Sequence, residues 1–87
     1  MQAVKAELAH VLVQWEDFAT PHALPILECY RDQLLTFNDD IQGAAAVVLA
    51  ALHAGAAANG SRLHDQTVVM LGAGSAESAS ASRSPAR

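Results

Sequence analysis

With 87 residues, 52% of them hydrophobic, the chain has enough apolar material for one small domain or for part of a larger one. Its net charge is −4, and the five basic residues (Lys5, Arg31, Arg62, Arg83 and Arg87) are scattered, so there is no electrostatic footprint for nucleic acid. The single cysteine, Cys29, excludes an internal disulfide and a cysteine-based zinc cluster, and a lone thiol suits a reducing compartment.

Gln2 to Ala9 reads as a short helix with Val4 and Leu8 on one face. Lys5 and Glu7 stand where a signal peptide would need its apolar run. The longest apolar stretch, Ala44 to Leu52, is short for a bilayer. The expectation is therefore a cytoplasmic chain without a membrane partner. "VLVQW" follows as a strand of the buried type and ends at Glu16-Asp17. Thr20-Pro21 opens a helix, with Thr20 as cap and Pro25 early enough to be tolerated. "LLTF" is the second strand. Asp39-Asp40 opens the alanine-rich helix "IQGAAAVVLAALHAGAAA", whose apolar stripe is Ala45, Val48, Leu49, Leu52 and Ala56, and Asn59-Gly60 stops it. "TVVML" reads as a third buried strand, ended by Gly72. After Ser75 the composition is that of a solvated tail.

Helices alternating with strands on short connections predict an α/β sheet region. In open α/β sheets ligands collect beyond the carboxyl ends of strands, where Glu16-Asp17 and Asp39-Asp40 fall. Carboxylates gathered there are hard oxygen ligands suited to Mg²⁺ or Mn²⁺. Equally, one of Asp39 and Asp40 could cap a helix and Glu16-Asp17 could be a solvated turn; on spacing alone the cap is the commoner outcome.

"VQWEDF", then "RDQLLTFNDDIQGAAAVVLAAL", then "VVMLGAGSA" together resemble the malic enzymes, the NAD- or NADP-dependent malate dehydrogenases that decarboxylate as they oxidise. The resemblance runs from about Ala3 to Ala76 without a gap. It implies that Glu16, Asp17 and Asp40 bind a divalent cation, Mg²⁺ or Mn²⁺. Asp39 would lie near the family's catalytic lysine, in a supporting role. Gly72, Gly74, Ser75 and Ala76 would approach the pyrophosphate of NAD or NADP. The implied substrate is L-malate, oxidised to pyruvate and CO₂, and family members are homo-oligomers.

The implied fold is an α/β fragment spanning the malic enzyme metal-binding region and the first strand and turn of its Rossmann-like NAD(P)-binding domain. Residues 1–60 would be the metal- and substrate-binding region, 61–76 the start of the NAD(P)-binding domain, and 77–87 a disordered tail. The family's catalytic lysine and tyrosine have no match here: Lys5 and Tyr30 stand outside any corresponding motif, and Met1 aligns deep within family chains. The fragment alone is expected to be inactive.

The turn departs from the family in one place. A dinucleotide fingerprint needs a third small residue, Gly or Ala, where this chain has Glu77. Glu-Ser-Ala-Ser written GAA TCG GCA TCG becomes Gly-Ile-Gly-Ile once a single G is restored in front, completing "GAGSAGIGI" as in the family. The expectation is a frameshift near Ala76/Glu77, with the tail translated out of frame. Two other readings stand beside the enzyme fragment: a non-catalytic interaction module using the alanine-rich helix and exposed strand edges, and an autonomous nucleotide- or metal-binding domain.

Overall fold

Two short strands pair in parallel at the centre of the computed structural model, which describes residues 1–85. They are β1 (Val13–Trp15) and β2 (Thr36–Asn38), in register Val13↔Thr36, Gln14↔Phe37 and Trp15↔Asn38. Val13 N–H donates to the Leu35 carbonyl at 2.9 Å, and the Thr36 hydroxyl donates to the Val13 carbonyl at 2.8 Å. A parallel pair needs a long crossover. Helix α2 (Thr20–Tyr30) supplies it, with Pro21 in its first turn and Ala23 and Leu27 buried beneath. The helix runs through Pro25 without a break, as that early position allows. Its cap position is Ala19, and Thr20 is already helical, a one-residue correction to the expected start.

Helix α1 (Gln2–Glu7) precedes the pair and is tied down by Lys5, whose Nζ donates to Gln33 Oε1 at 2.7 Å. Beyond β2 the chain makes one π-helical turn (Asp39–Gly43) and continues as α3 (Ala44–Ala58). Asn59 and Gly60 then end the helix, Gly60 at φ +65°, a conformation glycine adopts without penalty. Along α3 the expected stripe is the covered one: Ala45 and Ala56 are buried and Val48, Leu49 and Leu52 half-buried, while His53 is exposed. The continuous helix Asp39–Ala58, 20 residues, is long and apolar enough to cross a membrane by length and composition alone, and little of it is buried.

Two expectations need correction. "TVVML" forms no strand: after a single 3₁₀ turn (Leu63–Asp65) the chain is extended but unpaired, with Val69 87% and Leu71 95% exposed. The only other strands among the described residues pair with each other, so this segment has no neighbour to satisfy its backbone. The tail is not irregular either. Ser75–Arg83 is a helix, α4, which packs on α3 and on the π turn. Alanine gives it propensity, and its small side chains let it lie close; Ser80 is 4% exposed. Of the expected tail, Ala86 and Arg87 lie outside the described residues.

The core is small: Ala23, Leu27, Ala45, Ala56 and Leu63 are its buried apolar side chains. The radius of gyration is 15.9 Å, against about 12 Å for a compact chain of this length. The accessible surface is 5982 Å², where about 4,900 Å² is usual for a folded monomer of this mass. The excess includes exposed Leu12, Leu35, Val47, Val69 and Leu71, apolar surface of the kind that marks a contact face.

Candidate functional site

The sequence "NDDIQG" builds the turn at the end of β2. Asn38, fully buried, is the cap: its Oδ1 accepts from Ile41 N–H at 2.9 Å. Gln42 returns the interaction, its Oε1 accepting from Asn38 N–H at 2.9 Å. This is a capping box with the return residue one place later, which the wider π turn accommodates. The cap expected of Asp39 or Asp40 is therefore Asn38, and both aspartates are released for other work. An asparagine followed at three residues by Ile41 and at four by Gln42 carries that signal in the sequence.

Asp40, half-buried, accepts Asp17 N–H through Oδ2 at 3.0 Å. This bond ties the carboxyl end of β1 to the carboxyl end of β2. Asp17 makes it from φ +59°, the one non-glycine residue with positive φ among those described. That conformation strains most side chains and is least costly for Asp and Asn. Trp15, just before it, stacks on Tyr30 at 5.6 Å and meets Phe18 edge-on at 6.1 Å, which anchors the turn on the end of α2. Trp15 Nε1 and Asn38 Nδ2, facing positions on the same rung of the pair, are buried without hydrogen-bond partners.

Asp39 lies over Gly43, so closely that any Cβ there would meet its carboxylate. Asp39 and Asp40 border an open depression of about 380 Å³ with Gly43, Ala44, Val47 and Val48. Glu16 is exposed and its carboxylate accepts from Gln14 Nε2 at 3.4 Å, a weak contact. The structure thus joins Asp17 to Asp40, while Glu16 meets Gln14. Among the described residues no three His, Cys, Asp or Glu side chains converge closely enough to hold a metal ion. The donors are nonetheless of the right kind, carboxylate oxygens at the ends of adjacent parallel strands, so a hard divalent cation fits their chemistry.

The glycine turn presents the opposite case. Gly72 sits at φ +120°, which only glycine adopts comfortably, and Gly74 caps α4. The Glu77 carboxylate is folded back over both. A Cβ at Gly74 would stand 2.7 Å from Glu77 Oε2, and one at Gly72 would stand 3.0 Å from Oε1. Ser75, the first residue of α4, donates from Oγ to Thr20 Oγ1 at 3.3 Å, and Ala76 is half-buried beside it. The space a diphosphate would take against Gly72 and Gly74 is filled by a side chain of the chain itself, so the dinucleotide does not fit this turn as it stands.

The described residues combine a parallel strand pair bearing carboxylates at its carboxyl end with a glycine turn at the start of a helix. Residues 41–83 match the family model of the malic enzyme NAD-binding domain. Over 76 residues, 87% of the chain, it is 59% identical to the NAD-dependent malic enzyme of Edwardsiella ictaluri, 58% to that of Proteus mirabilis and 57% to that of Pectobacterium carotovorum. The chain is thus similar to malic enzymes over most of its length. It spans 14% of the length of these curated relatives.

Proposed function

We propose that this chain is a segment of an NAD-dependent malic enzyme, an oxidoreductase converting L-malate to pyruvate and CO₂, and that it contributes the metal carboxylates. The observation that carries the reading is the contact between Asp17 and Asp40, which joins two motifs far apart in sequence at the end of the strand pair. Glu16, Asp17 and Asp40 would hold Mg²⁺ or Mn²⁺. Such a cation supplies Lewis-acid polarisation of the substrate's oxygens when bound. The chain's own part is to position the donors. Asn38 and Gln42 fix the turn that carries Asp40, the Asp17 backbone N–H holds one Asp40 oxygen, and Gly43 leaves room for Asp39 to pack beside them.

By itself the chain is proposed to be inactive. Its only lysine, Lys5, is engaged by Gln33, and Tyr30 lies stacked on Trp15. Neither occupies a position matching the family's proton-transfer groups. A cytoplasmic location is part of the same proposal.

The test is a Mn²⁺ titration of the full chain followed by electron paramagnetic resonance, beside a malate assay reading NADH. Saturable Mn²⁺ binding, weakened at least about tenfold in Asp40→Asn, with no NADH formed, is the expected result. Equal binding by wild type and Asp40→Asn would remove the carboxylates from the site.

The exposed apolar surface around Val47, Val69 and Leu71 favours a second reading, a non-catalytic module that docks on an intact enzyme. Stoichiometric co-elution with a full-length malic enzyme, without turnover by the chain, would distinguish it.

A further inference from the structure

We propose that Glu77 makes the glycine turn of this chain self-occupied: its carboxylate takes the diphosphate niche against Gly72 and Gly74 and excludes NAD. This rests on the reading of the turn as a nucleotide turn. Two independent observations carry it. In the sequence, Glu77 stands at the third small position of the fingerprint. In the structure, both its carboxylate oxygens lie in the space that the missing Cβ atoms of Gly72 and Gly74 leave open.

The physical reason is that an anion site at a helix start has one occupant at a time. Gly74 caps α4, and Glu77 is the acidic residue of its first turn. A carboxylate there is favoured by the helix dipole, as a phosphate would be. The glycines bring the backbone close enough for a diphosphate, and the same closeness brings in the Glu77 side chain. An incoming diphosphate meets bulk where it needs space, and negative charge where it needs positive. Rotating Glu77 away would clear the bulk and leave the charge within the same helical turn.

The experiment titrates the full chain with NAD, and separately with inorganic pyrophosphate, following the Gly72 and Gly74 amide signals by NMR. The variants are Glu77→Gly, Glu77→Ala and Glu77→Gln. Glycine is also the residue a restored reading frame would place there. Glu77→Ala keeps helix propensity should the glycine variant lose α4, and circular dichroism checks that each variant is folded.

Wild type is expected to leave both amides unmoved. Glu77→Gly and Glu77→Ala are expected to bind NAD at least about tenfold more tightly, and Glu77→Gln, which removes charge and keeps bulk, to fall between. Pyrophosphate should give the same order. Wild type binding NAD as tightly as Glu77→Ala would overturn the proposal and leave the nucleotide reading standing. Folded Glu77→Gly and Glu77→Ala that bind neither probe, or that shift only residues outside the turn, would overturn both.

Discussion

The carboxyl end of the strand pair and the glycine turn are both predicted from short motifs, and they meet different fates. "EDF" and "FNDD" find each other, because β1 and β2 pair and the bond from Asp17 to Asp40 closes the gap between them. "VVMLGAG" finds nothing. The segment forms no strand and leaves Leu71 almost fully exposed, and the turn after it is filled by the neighbouring Glu77. A motif is held in place when its structural partners lie among the described residues. Where they do not, the nearest side chain of suitable charge takes the space.

That contrast is sharpest in the response to truncating a leucine. Leu27 is 5% exposed and sits under the strand crossover, whereas Leu71 is 95% exposed. Leu27→Ala should cost about 2–5 kcal/mol and, with so small a core, unfold most of the chain. Leu71→Ser should change stability by less than about 0.5 kcal/mol. Urea unfolding followed through the single tryptophan, Trp15, measures both. Comparable losses at the two positions would mean that Val68–Leu71 is packed in solution.

Much of this division was legible in the residues. The expected stripe of the alanine-rich helix is the covered one, although the helix is apolar nearly all round and leaves Val47 exposed on another face. The apolar runs "VLVQW" and "LLTF" placed the carboxylates at strand ends, and the malic enzyme resemblance only added the metal role. The third strand could not be judged from "TVVML", because a buried strand is made by its neighbours and an apolar run reports only readiness to be one. The tail was misread for a related reason: serine and alanine resemble a linker by composition, yet alanine favours a helix once α3 offers a face of small side chains. Asn38 and Gln42 were hidden by the aspartates between them, which look like the cap and are not.

Asn38 therefore gives the second test. Replacing it with alanine removes the Ile41 bond and keeps the backbone N–H that Gln42 accepts, at a cost of about 1–2 kcal/mol. Part of that loss is offset, because the orphan Nδ2 donor is removed at the same time. Asp39→Ala, which breaks no cap, should cost less than Asn38→Ala in the same urea experiment. The reverse order would return the cap to the aspartate.

Asp17 separates stability from function. Its φ of +59° favours glycine, so Asp17→Gly should leave the fold within about 1 kcal/mol of wild type, while Asp17→Ala should lose about 1 kcal/mol. Both remove one carboxylate, and Mn²⁺ binding should weaken in both alike. A glycine variant that binds Mn²⁺ as wild type does would show that the Asp17 side chain is not a ligand and that its backbone N–H alone serves Asp40.

The smallest effect is at Gly43, and it distinguishes packing from propensity. In an ordinary helical setting Gly→Ala gains up to about 1 kcal/mol. Here a Cβ at residue 43 would meet the Asp39 carboxylate, which must rotate away. Gly43→Ala should then be close to neutral, the helical gain offset by the displaced side chain. In an Asp39→Ala background the obstruction is gone and the same change should recover its gain, an interaction energy of about 0.5–1 kcal/mol in the double-mutant cycle. Additivity of the two changes would mean that Asp39 already points elsewhere in solution, and that the glycine of "IQG" is there for another reason.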